Sequence, residues 1–71
     1  MYFKRLKELR EDNDKRQQDI AEYLLMTQQQ YQRYETGKRD MPNQILLMLA
    51  DFYGVSLDYI FERTDIKAVN K

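Results

Sequence analysis

Apolar and polar side chains alternate along this chain at the spacing of amphipathic α-helices, in which positions three and four residues apart share a face. Near the N-terminus this face consists of Phe3, Leu6 and Leu9, which predicts a first helix over residues 2–12. The Asn13-Asp14 pair that follows predicts a turn, because both residues adopt left-handed backbone geometry more readily than most.

Residues 17–37 predict two short helices joined by a tight turn. Ile20 and Leu24 lie on the apolar side of the first of them, and Thr27, a favoured N-cap residue, begins the second. The backbone N–H of Gln30 can donate to the Thr27 hydroxyl while the Gln30 amide reaches back to the Thr27 backbone, which is the pattern of a capping box. Gly37 supplies a stop after the second helix.

The outer face of this second helix carries the candidate binding chemistry. At about 100° per residue, Tyr31 and Tyr34 share one side and are expected to pack inward, and Met26 with Tyr31 can form a hydrophobic staple. The opposite side and its edge consist of Gln28, Gln29, Gln32 and Arg33. Glutamine can pair with adenine, and arginine with guanine, in a DNA major groove wide enough for a helix. The face therefore predicts base reading, and the alternative is a row of solvated helix formers.

The second half of the chain predicts a long buried helix. A short basic loop over residues 38–42 leads to Pro42 or Asn43, where this fourth helix is expected to begin. It carries the strongest apolar stripe of the chain, with Met48 at the rim, and Gly54 is expected to end it. The stripe consists of Ile45, Leu46, Leu49, Ala50 and Phe52.

A fifth helix is expected after Ser56, its N-cap, with Val55 and Ile60 placed for a staple. Its buried side consists of Leu57, Ile60 and Phe61. The residues that follow show little periodicity and are expected to form a loose tail. The predicted division is a domain over residues 1–62 and a flexible tail over residues 63–71.

Composition narrows the function classes. The 71 residues fit one domain with a small core. The chain has neither cysteine nor histidine, which excludes thiolate and imidazole zinc sites, Cys–His nucleophile pairs and serine triads that use histidine, so we predict no enzyme activity, metal or cofactor. No apolar run approaches the ~20 residues of a membrane span, and the N-terminus lacks a signal-peptide core; we expect a soluble, cytoplasmic protein.

Net charge argues against nucleic-acid binding unless the charges are segregated. The 12 basic and 12 acidic side chains cancel, whereas a basic excess is the usual footprint of a nucleic-acid binder. Basic residues gather in the first ten positions and around the third helix: Lys4, Arg5, Lys7, Arg10, Arg33, Lys38 and Arg39. The last third of the chain is weighted towards acid by Asp51, Asp58, Glu62 and Asp65. This asymmetry predicts one surface positive enough for phosphates.

A longer pattern runs through residues 3–62. It consists of Arg10, Gln17, Ile20, Ala21, Met26, Thr27, Tyr31, the Arg33-Tyr34-Glu35 and Gly37-Lys38-Arg39 runs, Pro42, Leu49, Ala50 and residues 53–58. In order and spacing this pattern resembles the helix-turn-helix DNA-binding domains of the Cro and phage-repressor family, also called the XRE-like family. The resemblance implies a compact all-α, five-helix, lambda-repressor-like DNA-binding domain whose helix-turn-helix is formed by helices 2 and 3.

The resemblance also implies roles for single residues. Arg10 and Glu35 would form a partly buried ion pair between the first helix and the recognition helix; the alternative is an unpaired surface arginine. Base reading stays with the outer face of the third helix. Phosphate contacts, which position a domain without reading sequence, would come from Arg16, Gln17, Thr27, Lys38, Arg39 and Asn43.

The sequence departs from the family pattern at two turns. The family has glycine, an apolar residue and a capping Ser or Thr at Asp14, Lys15 and Arg16, so Asp14 could itself cap the second helix, with Gln17 completing the box and Arg16 free for a phosphate. Glycine is also common at Leu25, where a left-handed backbone costs a leucine on the order of 1 kcal/mol. Either that turn differs here or the domain tolerates the strain.

These features predict a sequence-specific DNA-binding transcriptional regulator of bacterial or phage type, with repression the expected outcome. One such domain buries too little surface for tight specific binding, so a homodimer on a palindromic operator is expected. The fifth helix and the tail are the expected dimer surface, with Tyr59, Phe61 and Ile66 as its apolar residues. No ligand-sensing or protease domain is expected in these 71 residues. The alternative is a protein-interaction module, such as an antitoxin-like partner, with weak or no DNA binding.

Overall fold

The computed structural model describes residues 2–67, and every regular element within them is an α-helix. The helices are α1 (Lys4–Asp12), α2 (Gln17–Tyr23), α3 (Gln28–Glu35), α4 (Asn43–Tyr53) and α5 (Leu57–Ile60). This confirms the predicted all-α, five-helix fold. The first helix begins at Lys4 rather than at residue 2, and α5 is a single turn.

One hydrophobic core joins all five helices. Each helix contributes one of the largest fully buried side chains, which are Leu6, Ile20, Tyr31, Leu49 and Ile60. Removing such apolar surface from water is the main favourable contribution to folding, and a domain this small has little other surface to bury. The apolar stripes that predicted the helices therefore point into this core, except at two aromatic rings.

Those two rings are Phe52 and Phe61, and their predicted burial is wrong. Phe52 is 36% exposed and packs at the edge of α4 against the ring of Tyr23, with 4.6 Å between ring centroids. Phe61 is 37% exposed because it follows the last turn of α5, where it covers Phe3 at a centroid distance of 5.5 Å. Conversely, Met41, which lies in the predicted basic loop, is buried in the core.

Each helix is followed by a residue with left-handed backbone geometry. The φ angles are 56° at Asp14, 57° at Leu25, 80° at Gly37, 66° at Gly54 and 62° at Glu62. Glycine adopts this geometry freely, whereas a side chain brings Cβ close to the following carbonyl oxygen.

Leu25 decides between the two alternatives for the turn between α2 and α3. The turn keeps the left-handed geometry, and the domain tolerates a leucine there. The side chain is 93% exposed, so no buried packing offsets a strain on the order of 1 kcal/mol.

Residues after α5 contact α1, and the flexibility of the expected tail over residues 63–71 stays a prediction. Arg5 Nη1 donates to the carbonyl oxygens of Tyr59 at 2.8 Å and Thr64 at 2.6 Å, and its guanidinium lies 4.2 Å from the centroid of the Tyr59 ring. The backbone N–H of Ser56 donates to the carbonyl of Lys67 at 2.9 Å. The last four residues of the predicted tail lie outside the described residues.

None of the helices in residues 2–67 has the length and apolar character needed to cross a membrane.

Candidate nucleic-acid interface

The N-terminus of α3 is fixed by the predicted capping box. Thr27 Oγ1 accepts from the backbone N–H of Gln30 at 3.1 Å, and Gln30 Oε1 accepts from the backbone N–H of Thr27 at the same distance. The Gln30 amide oxygen is thereby engaged by the helix itself. This leaves the neighbouring glutamines as the polar side chains that α3 offers to a ligand at this end.

The two faces of α3 differ in burial as the pattern predicted. Tyr31 is fully buried and Tyr34 is half-buried against the core. On the other side, Gln28, Gln29 and Arg33 are exposed and Gln32 is half-buried. The exposed amides and guanidinium can donate and accept paired hydrogen bonds at base edges.

The basic loop after α3 lies against the end of that helix. The backbone N–H of Arg39 donates to the carbonyl of Arg33 at 3.1 Å, and the side chains of Lys38 and Arg39 are exposed. Gly37 permits this turn, since a Cβ at its position would lie 3.1 Å from the Cβ of Tyr2. Asn43, also exposed, is the first residue of α4 and follows directly from the loop.

Ion pairing differs between the two basic clusters of the sequence. Four are paired within residues 2–67: Lys4 with Glu62, Arg5 with Asp65, Arg10 with Glu35, and Arg16 with Asp19. Arg33, Lys38 and Arg39 have no acidic partner in that part of the chain. The two basic clusters of the sequence are therefore not equivalent. Three of the four basic residues in the first ten positions are paired, with Lys7 the exception, whereas all three around α3 are unpaired in the described part of the chain. Zero net charge is compatible with a positive surface at α3.

The start of α2 differs from the alternative in which Asp14 caps it. Arg16 is the N-cap, and Asp14 lies in the preceding left-handed turn, so that alternative is wrong. Asp19 Oδ2 accepts from the backbone N–H of Arg16 at 2.9 Å, and Asp19 Oδ1 from Arg16 Nη2 at 3.3 Å. These two bonds lower the pKa of the Asp19 carboxyl. Arg16 is thus paired rather than free, although its side chain is 77% exposed, and its phosphate contact stays a prediction.

Arg10 and Glu35, for which the resemblance implies an ion pair, lie together in a bidentate arrangement. Arg10 Nε donates to Glu35 Oε2 at 3.0 Å and Arg10 Nη2 to Oε1 at 2.9 Å. The two side chains are 12% and 2% exposed. The hydrogen bond to Glu35 raises the pKa of Arg10. Gln17 Nε2 also donates to Glu35 Oε1, at 3.4 Å, so this predicted phosphate-binding residue is joined to the ion pair.

Two buried tyrosine hydroxyls lie beside this ion pair. Neither Tyr31 Oη nor Tyr53 Oη has a partner at hydrogen-bonding distance and angle among the described residues. Burial, reinforced by the negative charge of Glu35, raises the pKa of both phenols above their usual range. Both rings therefore stay neutral in the folded protein.

Sequence reasoning missed two residues of this region. Asp19 was not identified, although an acidic residue three positions after a helix start is a recognisable capping signal. Tyr53 was matched as part of the pattern but not placed beside Glu35, because nothing in the local sequence reveals which distant helix its hydroxyl approaches. The roles of the base-reading and phosphate-binding residues remain predictions.

Comparison with known proteins finds a helix-turn-helix family model and helix-turn-helix transcriptional regulators. The helix-turn-helix family model matches residues 6–60. The chain is 36% identical over 64 residues to the SPbeta prophage-derived uncharacterized HTH-type transcriptional regulator YonR of Bacillus subtilis, covering 90% of this chain and 59% of that protein. It is 34% identical over 68 residues to the HTH-type transcriptional regulator ImmR of the same organism, covering 96% of this chain and 54% of that protein.

A third relative is the uncharacterized HTH-type transcriptional regulator YobD of Bacillus subtilis, at 35% identity over 65 residues, which cover 92% of this chain and 58% of that protein. The chain thus spans between half and three fifths of the length of these relatives. No solved structure matches it.

Proposed function

This chain belongs to the helix-turn-helix family of the Cro and phage-repressor type, which is not an enzyme family, and on that premise we propose that it is a sequence-specific regulator of transcription that binds double-stranded DNA. Helix α3 enters the major groove. Its outer residues, Gln28, Gln29, Gln32 and Arg33, read base edges. Contacts to the phosphates come from Arg16, Gln17, Thr27, Lys38, Arg39 and Asn43 and set the register of the helix.

The observation that carries this proposal is the group of three basic side chains, without an acidic partner among the described residues, beside the exposed face of α3. Arg33, Lys38 and Arg39 have no acidic partner in residues 2–67, whereas four basic residues elsewhere do. Side chains already bound to carboxylates would have to exchange partners at a phosphate, while unpaired ones need only displace water and counterions. Unpaired cations beside exposed glutamines are the arrangement that a DNA-reading helix requires.

A homodimer on a palindromic operator completes the proposal. One α3 helix contacts only a few base pairs, and two half-sites about one helical turn apart supply the remaining specificity. We propose that the dimer surface lies at α5 and the following residues. Phe61 and Ile66 are exposed there, and Tyr59 is half-buried against Arg5. The protein would act in the cytoplasm, where bacterial and phage operators lie.

The test is selection from a randomised duplex-DNA library at low salt. Enrichment of a short palindrome, with affinity that falls steeply as salt rises, is the expected result. A Lys38→Ala variant should weaken binding to all sequences alike and reduce the salt slope by about 1. No enrichment at a salt concentration where nonspecific binding is visible would contradict DNA reading and favour a protein partner instead.

A further inference from the structure

The first turn of α2 lacks the cap that most helices have. Its N-cap is Arg16, and a guanidinium can only donate hydrogen bonds, so it cannot accept from the N–H groups of the helix. The carboxylate of Asp19 accepts from the backbone N–H of Arg16. Contacts from outside the helix must therefore fix the direction in which α2 begins.

The Arg10–Glu35 pair supplies two contacts to this turn. Arg10 Nη1 donates to the carbonyl of Lys15 at 2.9 Å, immediately before the N-cap. Glu35 Oε1 accepts from Gln17 Nε2 at 3.4 Å, in the first residue of the helix. One ion pair between α1 and α3 therefore holds the start of α2 on both sides of Arg16.

We propose that Glu35, held in place by Arg10, is a positioning residue for Gln17 and sets the orientation in which Gln17 meets a DNA phosphate. This inference rests on the proposed function. Glu35 is 2% exposed and does not reach a ligand itself. An ionised carboxylate only accepts, so the Gln17 amide must face it with its nitrogen. One N–H of that amide is then used by Glu35, and the second is left to donate to a phosphate oxygen.

Burial distinguishes this contact from an ordinary surface one. Gln18 donates to Glu22 Oε1 at the same distance of 3.4 Å, but both of those side chains are exposed. Gln17 is half-buried and its acceptor is fixed by a bidentate ion pair. A glutamine ordered in advance loses less conformational entropy on binding than one that is free in solution. The Gln18–Glu22 pair is the matched control.

The first experiment is a double-mutant cycle read out as affinity for random-sequence duplex DNA. Its variants are Gln17→Ala, Glu35→Gln and the two together, each measured at a temperature where circular dichroism shows it to be folded. Gln17→Ala is expected to weaken binding about tenfold in the unaltered protein, and less than about threefold when residue 35 is already glutamine. The Gln18→Ala and Glu22→Gln cycle should show no coupling.

Two results of this cycle would overturn the inference. Equal losses from Gln17→Ala in both backgrounds would mean that Glu35 contributes only to folding. No loss from Gln17→Ala in a protein that binds DNA would mean that Gln17 contacts no phosphate. Absence of all DNA binding by the unaltered protein would overturn the proposed function and this inference together, which separates the two kinds of failure.

A second measurement needs neither DNA nor a destabilised variant. Nitrogen-15 relaxation of the glutamine side-chain amides in the full chain should show restricted motion at Gln17 Nε2 and free motion at Gln18 Nε2. Equal mobility of the two amides would contradict the positioning role even if the variants of residue 35 failed to fold.

Discussion

The α2–α3 and α4–α5 pairs have the same turn geometry, yet only one of them carries the candidate interface. In each pair, the backbone N–H that follows the left-handed residue donates to the carbonyl of an alanine five residues earlier. The distance is 2.9 Å from Met26 to Ala21 and 3.0 Å from Val55 to Ala50. The two turns therefore close by the same hydrogen bond, although their central residues differ.

The second helix of each pair also begins in the same way. Thr27 Oγ1 accepts from the third helical N–H at 3.1 Å in α3, and Ser56 Oγ does so at 3.0 Å in α5. The fourth helical residue is fully buried in both, as Tyr31 in α3 and as Ile60 in α5. Caps and core residues thus repeat, and they fix how the second helix packs.

The outward residues do not repeat. Helix α3 begins with Gln28 and Gln29 and runs for eight residues, whereas α5 begins with Leu57 and Asp58 and runs for four. The turn geometry alone therefore does not make a DNA-reading unit. Function resides in the polar residues and in the length of the second helix, and the turn only presents them.

Helix α1 supplies one arginine to each pair. Arg10 binds the buried carboxylate of Glu35 at the end of α3, and Arg5 binds the main-chain carbonyl of Tyr59 in α5 and the exposed carboxylate of Asp65. The two contacts differ in burial, and their strength should differ accordingly.

The largest predicted effect comes from breaking the buried contact. Glu35→Ala should lower the free energy of unfolding by roughly 3–5 kcal/mol, because it leaves the Arg10 guanidinium largely buried without its carboxylate. Arg5→Met should cost about 1–2 kcal/mol, since it removes hydrogen bonds to neutral carbonyls and to an exposed carboxylate and leaves no buried charge without a partner. Urea denaturation followed by circular dichroism measures both values, and similar losses for the two variants would contradict the proposed difference in burial.

Exchanging the turn residues has the next largest expected effect. Gly54→Leu should destabilise the protein by about 1–2 kcal/mol from backbone strain alone, since nothing lies within 4 Å of the position a Cβ would take. Leu25→Gly should stabilise the protein by roughly 0.5–1 kcal/mol. The substitution relieves the backbone strain, and the exposed leucine side chain that it removes makes little packing contact. Melting temperatures of the two variants provide the measurement; shifts of the same sign would mean that the two turns are not equivalent.

The smallest predicted effect comes from removing the hydroxyl of Tyr31. Ile60 occupies the equivalent position in α5 and has no hydroxyl. Burial raises the pKa of Tyr31, so its contribution to stability is complete below the pKa of an unfolded tyrosine, about 10, and is lost as pH rises above it. Tyr31→Phe should leave the free energy of unfolding within about 0.5 kcal/mol at neutral pH.

The same variant should make the alkaline loss of stability shallower. Denaturation at a series of pH values from neutral to above 10 measures this slope, with Tyr23→Phe, at an exposed ring, as the control. An unchanged alkaline slope for Tyr31→Phe would show that the buried phenol does not oppose ionisation.

Local patterns predicted most of the fold. Helix periodicity identified all five of the largest fully buried side chains, one in each helix, and the Thr27 capping box fixed the start of α3 to the residue. These features depend on neighbours within four or five positions, which a sequence displays directly. The predicted burial of Phe52 was wrong because this residue lies at the edge of its apolar stripe, where a neighbouring helix determines how much of the ring is covered.

Long-range pairing was accessible only in part. The Arg10–Glu35 contact could be proposed through family resemblance, whereas the contacts of Arg5 with the residues after α5 could not, since most of their acceptors are main-chain carbonyls with no sequence signature. The pairing of Lys4 with Glu62 and of Arg5 with Asp65 was hidden because the partners lie about 60 residues apart in the sequence. The formal charges of the chain sum to zero, and only the arrangement of the folded helices shows which basic side chains are paired.

The most direct test of the account compares equivalent positions in the two helix pairs. Gln29 and Asp58 are each the second residue of the second helix, and each would be changed to alanine and measured on the selected DNA site and on random DNA. Gln29→Ala is expected to lose roughly 1–3 kcal/mol of binding free energy on the selected site and little on random DNA, while Asp58→Ala is expected to lose none on either. Equal losses by Gln29→Ala on both DNAs would contradict the assignment of base reading to α3.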